Sequence, residues 1–134
     1  MAGTAGGGPV ASGGPGVGGT ALPTISTHVL DTETGQPAVG IHVSLYKLGE
    51  DDRPIRLTQA LTDGDGRVRD LLERPMSPGM YRLEFRLAGR PNPRADGSPF
   101  FQKLAVDLRV EDTSRSYHVP LLLAPFSMTT YRGS

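Results

Sequence analysis

The chain has 134 residues and a mass of 14.2 kDa, a length typical of one domain. Its 14 basic and 14 acidic residues balance, so no strong overall field attracts nucleic acid or a membrane surface. No apolar run approaches the roughly 20 residues of a membrane-spanning helix. Cysteine is absent, which excludes disulfides, thiol catalysis and thiolate metal ligands. We therefore expect a protein with neither a nucleic-acid partner nor a membrane partner.

The first 21 residues differ in composition from the rest of the chain. Nine of the 18 glycines lie in residues 1–20, and no Asp, Glu, Lys or Arg precedes Asp31. A secretory signal needs a positively charged start and an uninterrupted apolar stretch, and this segment has neither. It also contains too little apolar surface to offset the entropy lost on ordering. The composition predicts a disordered Gly/Ala-rich tail over residues 1–21, one domain over residues 22–134, and a cytoplasmic protein.

From residue 22 onward, apolar and polar residues alternate with a period of two, which is typical of half-buried strands. In chain order, the predicted strands cover residues 24–31, 41–46, 55–61, 81–87, 104–110, 116–123 and 127–132. Turn signals separate them at residues 34–37, 63–66 and 77–79. Short strands at this spacing predict an all-β antiparallel sandwich of about eight strands. Residues 90–102 could hold one short helix, because their three prolines allow no longer one.

Two predicted strands have outward faces that are unusual for a solvated surface. These faces carry two of the three histidines beside apolar residues, in the set His28, Leu30, His118, Pro120 and Leu122. An outward face that is partly apolar is usually covered, most simply by another subunit. Pro120 itself predicts an edge strand or a bulge, because proline cannot donate a hydrogen bond to a neighbouring strand.

The sequence contains no complete example of a common catalytic or metal-binding motif. The nucleophile elbow, the phosphate-binding loop, the dinucleotide fingerprint and the zinc-protease helix are all absent. Residues 63–66 resemble the start of a calcium loop, but Arg74 stands where a bidentate glutamate is needed, so a hairpin turn is favoured. A zinc site of His28, His42 and His118 is conceivable. No carboxylate pattern accompanies His42, so we expect no metal.

A small polar set remains, consisting of His28, Arg67, His118 and the C-terminal residues 131–134. Neutral histidine can take a proton from water near pH 7, and a second histidine can return it. A fixed guanidinium can stabilise an oxyanion or hold an electron-rich heterocycle. Ser134 would supply a hydroxyl and a terminal carboxylate. Spacing alone does not bring these residues together, so ordinary surface positions remain the alternative.

Three motifs and the C-terminus resemble the transthyretin-related proteins. Residues 26–31, Ser-Thr-His-Val-Leu-Asp, with residues 35–38 after them, are similar to the opening motif of that family. Asp-Gly-Arg at residues 65–67 resembles the second motif, and residues 117–125 resemble the third. The closing Tyr-Arg-Gly-Ser at residues 131–134 distinguishes the 5-hydroxyisourate hydrolases of the family from the hormone-carrying transthyretins, which lack it. The resemblance covers about residues 22–134.

The resemblance implies an eight-stranded sandwich, a homotetramer built as a dimer of dimers with sites between the dimers, and no metal or organic cofactor. The implied reaction opens the six-membered ring of 5-hydroxyisourate by hydrolysis, which gives 2-oxo-4-hydroxy-4-carboxy-5-ureidoimidazoline in urate catabolism. His28 and His118 would activate water and relay its proton, and Arg67 would hold the substrate and stabilise the oxyanion. Ser134 would orient substrate or water, and the binding residues beside it are Tyr131, Arg132 and Gly133. The alternatives are a carrier that binds a small aromatic ligand without turnover and a structural assembly module.

Overall fold

The computed structural model describes residues 22–88 and 99–133. These residues form β1 (Ile25–Asp31), β2 (Gln36–Pro37), β3 (His42–Leu48), β4 (Pro54–Leu61), β5 (Arg67–Val68), β6 (Gly79–Arg86), β7 (Lys103–Val110), β8 (Tyr117–Ala124) and β9 (Ser127–Thr130). A 3-10 turn over Glu50–Asp52, which the sequence did not predict, is the one helical element in these two segments. The prediction of an all-β fold is confirmed.

Two predicted features fall wholly or partly outside the described residues. The predicted tail over residues 1–21 and residues 90–98 of the predicted short helix lie outside the described residues. Residues 99–102, the described end of that stretch, are irregular. In the two segments that the structure describes, no helix has the length and apolar character needed to cross a membrane.

The strands form two sheets. The first has the order β9-β8-β1-β2, and β5 pairs with β1 as well; the second has the order β4-β3-β6-β7. Every pairing is antiparallel except that of β1 with β8, which is parallel and runs in register from Ile25 opposite Tyr117 to Asp31 opposite Leu123. The antiparallel prediction is therefore wrong for this one pair. A period-two pattern fixes which face a side chain occupies but carries no information on strand direction.

The core lies between the inner faces of the two sheets. Alternate residues along each strand contribute to it, including Ile25, Val29, Val119 and Leu121 from the first sheet and Val43, Leu45, Leu83 and Phe85 from the second. Thr27 is buried on the same face of β1, and its hydroxyl donates to the Val119 carbonyl at 2.6 Å. Because its hydrogen bond is made, this polar group is accommodated inside the core. The residues between the inward ones, His28 among them, consequently point to the outer face.

Pro120 lies in an interior strand, and the prediction of an edge strand is wrong. β8 runs between β9 and β1. The Pro120 carbonyl accepts from the Thr130 hydroxyl at 2.8 Å, so the proline nitrogen also faces the C-terminal segment. β9 ends at Thr130, and pairing with β8 resumes only where the Gly133 N–H donates to the His118 carbonyl at 2.7 Å. The missing donor of the proline therefore falls in a gap of the ladder, where proline is tolerated.

Candidate functional site on the outer face of the first sheet

A tight turn positions Arg67 beside His28. The Asp63 carboxylate accepts the main-chain N–H of Arg67 at 3.0 Å, so this segment is the predicted turn. Gly66 adopts a φ of +76°, and its carbonyl accepts the Val29 N–H at 2.7 Å. This contact docks β5 on β1 with Arg67 directly opposite His28.

The parallel pairing of β1 with β8 brings the two histidines onto one patch. In this register Ser26 lies opposite His118, and His28 lies opposite Pro120. The two histidines are therefore diagonal neighbours on the outer face. A strand spacing of about 4.8 Å and a two-residue rise of about 6.6 Å give a Cα separation of roughly 8 Å. A small heterocycle or a water molecule can contact both rings across such a distance.

The His118 ring is held from two sides. Its Nδ1 lies 2.9 Å from the Ser26 hydroxyl oxygen. On the other side, Gly133 pairs with His118, and a Cβ added at Gly133 would lie 2.9 Å from His118 Cδ2. In residues 22–88 and 99–133 no hydrogen bond to Nε2 is found. The nitrogen that remains for a substrate or water is therefore Nε2.

Burial and positive charge favour the neutral form of both histidines. The pKa of His28 is lowered from its ordinary value of 6.5, first by loss of solvent and next by the Arg67 guanidinium, although a main-chain hydrogen bond at Asp65 opposes the shift. The pKa of His118 is lowered by loss of solvent, then by Arg67, then by His28. Neutral rings near pH 7 can accept a proton, as a general base requires.

Arg67 is half-buried and carries its charge on the same patch. The ion pairs found among the described residues do not include it, and its main-chain N–H, not its guanidinium, bonds to Asp63. A guanidinium offers five N–H donors in a fixed fork that suits oxyanions and planar polar groups. It can therefore bind a substrate without first breaking an ion pair within the described residues.

Of the predicted site residues, the fold brings together four, which are His28, Arg67, His118 and Gly133. Tyr131 and Arg132 are exposed on the segment that leads to Gly133. Ser134 lies outside the described residues.

His42 is in the second sheet, paired with Leu61 and Arg86, so the alternative of a three-histidine zinc site is wrong. No group of three or more potential metal ligands occurs in the part of the chain that the structure describes.

Ser26 is a site residue that the sequence analysis did not select. It lies two residues before His28 and therefore on the same outer face, which was the one available signal. Its contact with His118 depends on the parallel register of strands that are 92 residues apart. Alternation within either strand cannot give that register.

Gly133→Ala is expected to lower kcat by about 10- to 100-fold, because the new Cβ would displace the His118 ring or the C-terminal segment by a few tenths of an ångström or more. Steady-state kinetics and thermal melting measure the change, and melting should move little. Gly49→Ala is the matched control, since its Cβ would meet only a main-chain oxygen at an ordinary 3.7 Å. Wild-type kinetics in Gly133→Ala would show that the close packing on His118 has no role in turnover.

A family model and a curated relative both match most of this chain. The family model described as HIUase/Transthyretin family matches residues 25–133. The 5-hydroxyisourate hydrolase of Halalkalibacterium halodurans is 40% identical over 115 residues, which cover 82% of this chain and 97% of that protein.

Two solved structures have similar folds. Klebsiella pneumoniae 5-hydroxyisourate hydrolase aligns with a TM-score of 0.70 and 34% identity, over 84% of this chain and 100% of that chain. Sea bream transthyretin in complex with thyroxine aligns with a TM-score of 0.72 and 28% identity, over 81% of this chain and 93% of that chain. The matches span nearly all of the described residues. This chain therefore belongs to the HIUase/Transthyretin family.

Proposed function

We propose that the protein hydrolyses 5-hydroxyisourate to 2-oxo-4-hydroxy-4-carboxy-5-ureidoimidazoline, a step of urate degradation. The observation that carries the proposal is the convergence of two histidines, both with lowered pKa values, and a guanidinium on one outer face. Relatives of similar length, among them the Halalkalibacterium halodurans protein, bear the name of this hydrolase. A cytoplasmic location stays a prediction from the composition.

In the proposed mechanism a neutral histidine, His28 or His118, takes a proton from water as the water oxygen bonds to a carbonyl carbon of the ring. Arg67 stabilises the negative charge that develops on the carbonyl oxygen. The carbon–nitrogen bond of the six-membered ring then breaks, and the proton passes to the leaving nitrogen from a histidine. The oxygen of the water molecule thus ends on the carbon of the broken bond, and the proton that the histidine removed ends on the nitrogen. Either ring can take the first proton, because the lowered pKa of each favours the neutral form that a base requires.

The C-terminal residues complete the proposed site. Gly133 pairs with His118, so the described end of the C-terminal segment reaches the same patch. We assign Ser134 to orient substrate or water, and Tyr131 and Arg132 to substrate binding along the same segment. Ser134→Ala should then lower kcat with little change in stability, as measured by steady-state kinetics and thermal melting.

Stopped-flow absorbance tests the activity directly. Urate oxidase generates 5-hydroxyisourate in place, and its decay is followed with and without the full chain. Decay that accelerates in proportion to protein concentration supports the hydrolase. Unchanged decay in the presence of folded protein contradicts it and favours the carrier, which equilibrium binding of small aromatic ligands would then identify. The carrier is disfavoured because a site that only binds an aromatic ligand is expected to be lined by apolar residues, whereas this one has two histidines and an arginine.

The rate is expected to depend on pH through the histidines. Since the pKa values of both rings are lowered, the neutral forms persist below pH 6.5, and kcat/KM should fall only on further acidification. A profile of kcat/KM from pH 4.5 to 9 measures this acid limb, with protein stability monitored at each pH. A rate that is flat across the range would rule out a histidine base.

We also propose that the protein forms a homotetramer, a dimer of dimers. The outer face that carries His28 and His118 also holds Leu30 and Leu122, which a partner subunit would cover. A second exposed apolar patch joins Phe100 to Phe126, with ring centroids 6.1 Å apart and exposed fractions of 69% and 76%. Light scattering on the 14.2 kDa chain tests the assembly, and a monomer at micromolar concentration would contradict it.

A further inference from the structure

We propose that Ser26 is a positioning residue for His118. Its hydroxyl holds the imidazole through Nδ1 in either tautomer, so that Nε2 can accept a proton and later return it without the ring turning. The activity part of this inference rests on the proposed function. The structural part, the pairing of Ser26 with Nδ1, stands independently of it.

The geometry of the pair supports the assignment. The Ser26 oxygen lies 2.9 Å from His118 Nδ1, within hydrogen-bond distance, and the two residues are directly opposed in the parallel register of β1 and β8. Within residues 22–88 and 99–133 the Ser26 side chain makes no other hydrogen bond. The contact is half-buried, so water competes weakly for it. The hydroxyl is therefore committed to this one ring.

A hydroxyl partner has a consequence that a carboxylate partner does not. Serine can donate to a bare Nδ1 or accept from a protonated Nδ1, so it fits both neutral tautomers. A carboxylate can only accept, which fixes the proton on Nδ1 and raises the pKa of the ring. With serine in this position, the ring keeps the lowered pKa that burial, Arg67 and His28 give it. Among the described residues, Arg67 and His28 are the charged or titratable groups that act on His118, and the exposed Tyr131 and Arg132 lie on the segment that pairs with it through Gly133.

Three substitutions at Ser26 separate positioning from simple packing. Ser26→Ala should lower kcat by about 10- to 100-fold, the usual effect of losing the partner that orients a functional histidine, with KM changed by less than about threefold. Ser26→Thr keeps the hydroxyl and should recover most of the rate. Ser26→Asp should move the acid limb of the pH–rate profile upward by about 1–2 pH units, because a carboxylate stabilises the imidazolium.

The matched control is Thr27→Val, the next residue on the same strand but on its core face. This change removes a buried hydrogen bond to Val119 and should lower the melting temperature, yet it should leave the acid limb in place. Nitrogen-15 NMR of the histidine rings gives a readout that needs no substrate. In Ser26→Ala the His118 nitrogen shifts should change, while those of His42 in the second sheet should stay as in the wild type.

The outcomes separate the two proposals. Wild-type protein that does not accelerate 5-hydroxyisourate decay would contradict the proposed function, and the NMR comparison would still test the Ser26–His118 pair. Unchanged His118 nitrogen shifts in Ser26→Ala would overturn the positioning role. So would a kcat in Ser26→Ala within about twofold of wild type in an active enzyme, since loss of an orienting partner typically costs more. An acid limb in Ser26→Asp that coincides with the wild-type limb would overturn it as well.

Discussion

His118→Ala is expected to lower kcat for 5-hydroxyisourate hydrolysis by about 10²- to 10⁴-fold, the usual effect of removing a positioned acid or base. The ring is half-buried, its Nδ1 is bonded to Ser26, and its Nε2 has no hydrogen-bond partner among the described residues. His28 alone cannot supply both rings of the proposed proton relay, because it is a diagonal neighbour with its own position on the patch. Stopped-flow absorbance of freshly generated 5-hydroxyisourate measures the loss.

The matched control is His42→Ala, which removes a half-buried histidine from the other sheet of the sandwich. This variant should retain wild-type kcat. Circular dichroism and thermal melting establish that both variants are folded, and His118→Gln provides a second variant with a polar side chain of similar size. If His118→Ala and His42→Ala hydrolyse the substrate equally fast, His118 is not the acid or base.

Gly66→Ala is expected to reduce the free energy of unfolding by about 2–5 kcal/mol and to impair catalysis as well. The backbone at Gly66 has a φ of +76°, which side-chain-bearing residues rarely adopt. A Cβ there would lie 2.5 Å from the Val29 carbonyl oxygen, which already accepts the Ala38 N–H at 2.9 Å. The clash would push β5 away from β1 and would carry Arg67 away from His28.

Gly35→Ala separates the two causes of that loss, which are the backbone strain at positive φ and the clash of the new Cβ with Val29. Gly35 has a nearly equal φ of +73°, but a Cβ there would meet no atom within 4 Å. We expect it to lose only the backbone strain, roughly 1–2 kcal/mol, and to keep full activity. Urea unfolding measures both free energies, and kcat measures the displacement of Arg67. Equal losses in the two variants would mean that the close approach of Gly66 to β1 contributes nothing.

Much of the fold follows from the local alternation of apolar and polar residues along the sequence. The alternation in β6 and β7, where Leu83 and Phe85 point inward between charged residues, predicts both strands to within two residues at each end. The same alternation places His28 and His118 on outer faces. Such patterns are readable because a strand with one buried face repeats its apolar residues every two positions.

The shortest strands could not be predicted in this way. β2 and β5 have two residues each, too few to show a period. β5 exists because Gly66 approaches the backbone of β1, and this approach is what sets Arg67 opposite His28. Pro120 misled for a related reason. Proline was expected at an edge strand or a bulge, whereas its missing N–H faces a gap in the pairing of an interior strand with the C-terminal segment.

The sequence by itself determined the all-β class, the turn before Arg67, and the polar set from which the proposed site is built. It also determined the family, through motifs that include the histidines and the closing tetrapeptide. Only the tertiary structure decided that β1 and β8 pair in parallel, that His118 contacts Ser26 and Gly133, and that His42 belongs elsewhere. The physical reason is that side-chain alternation is a local property, whereas strand direction and register depend on contacts between residues far apart in the chain.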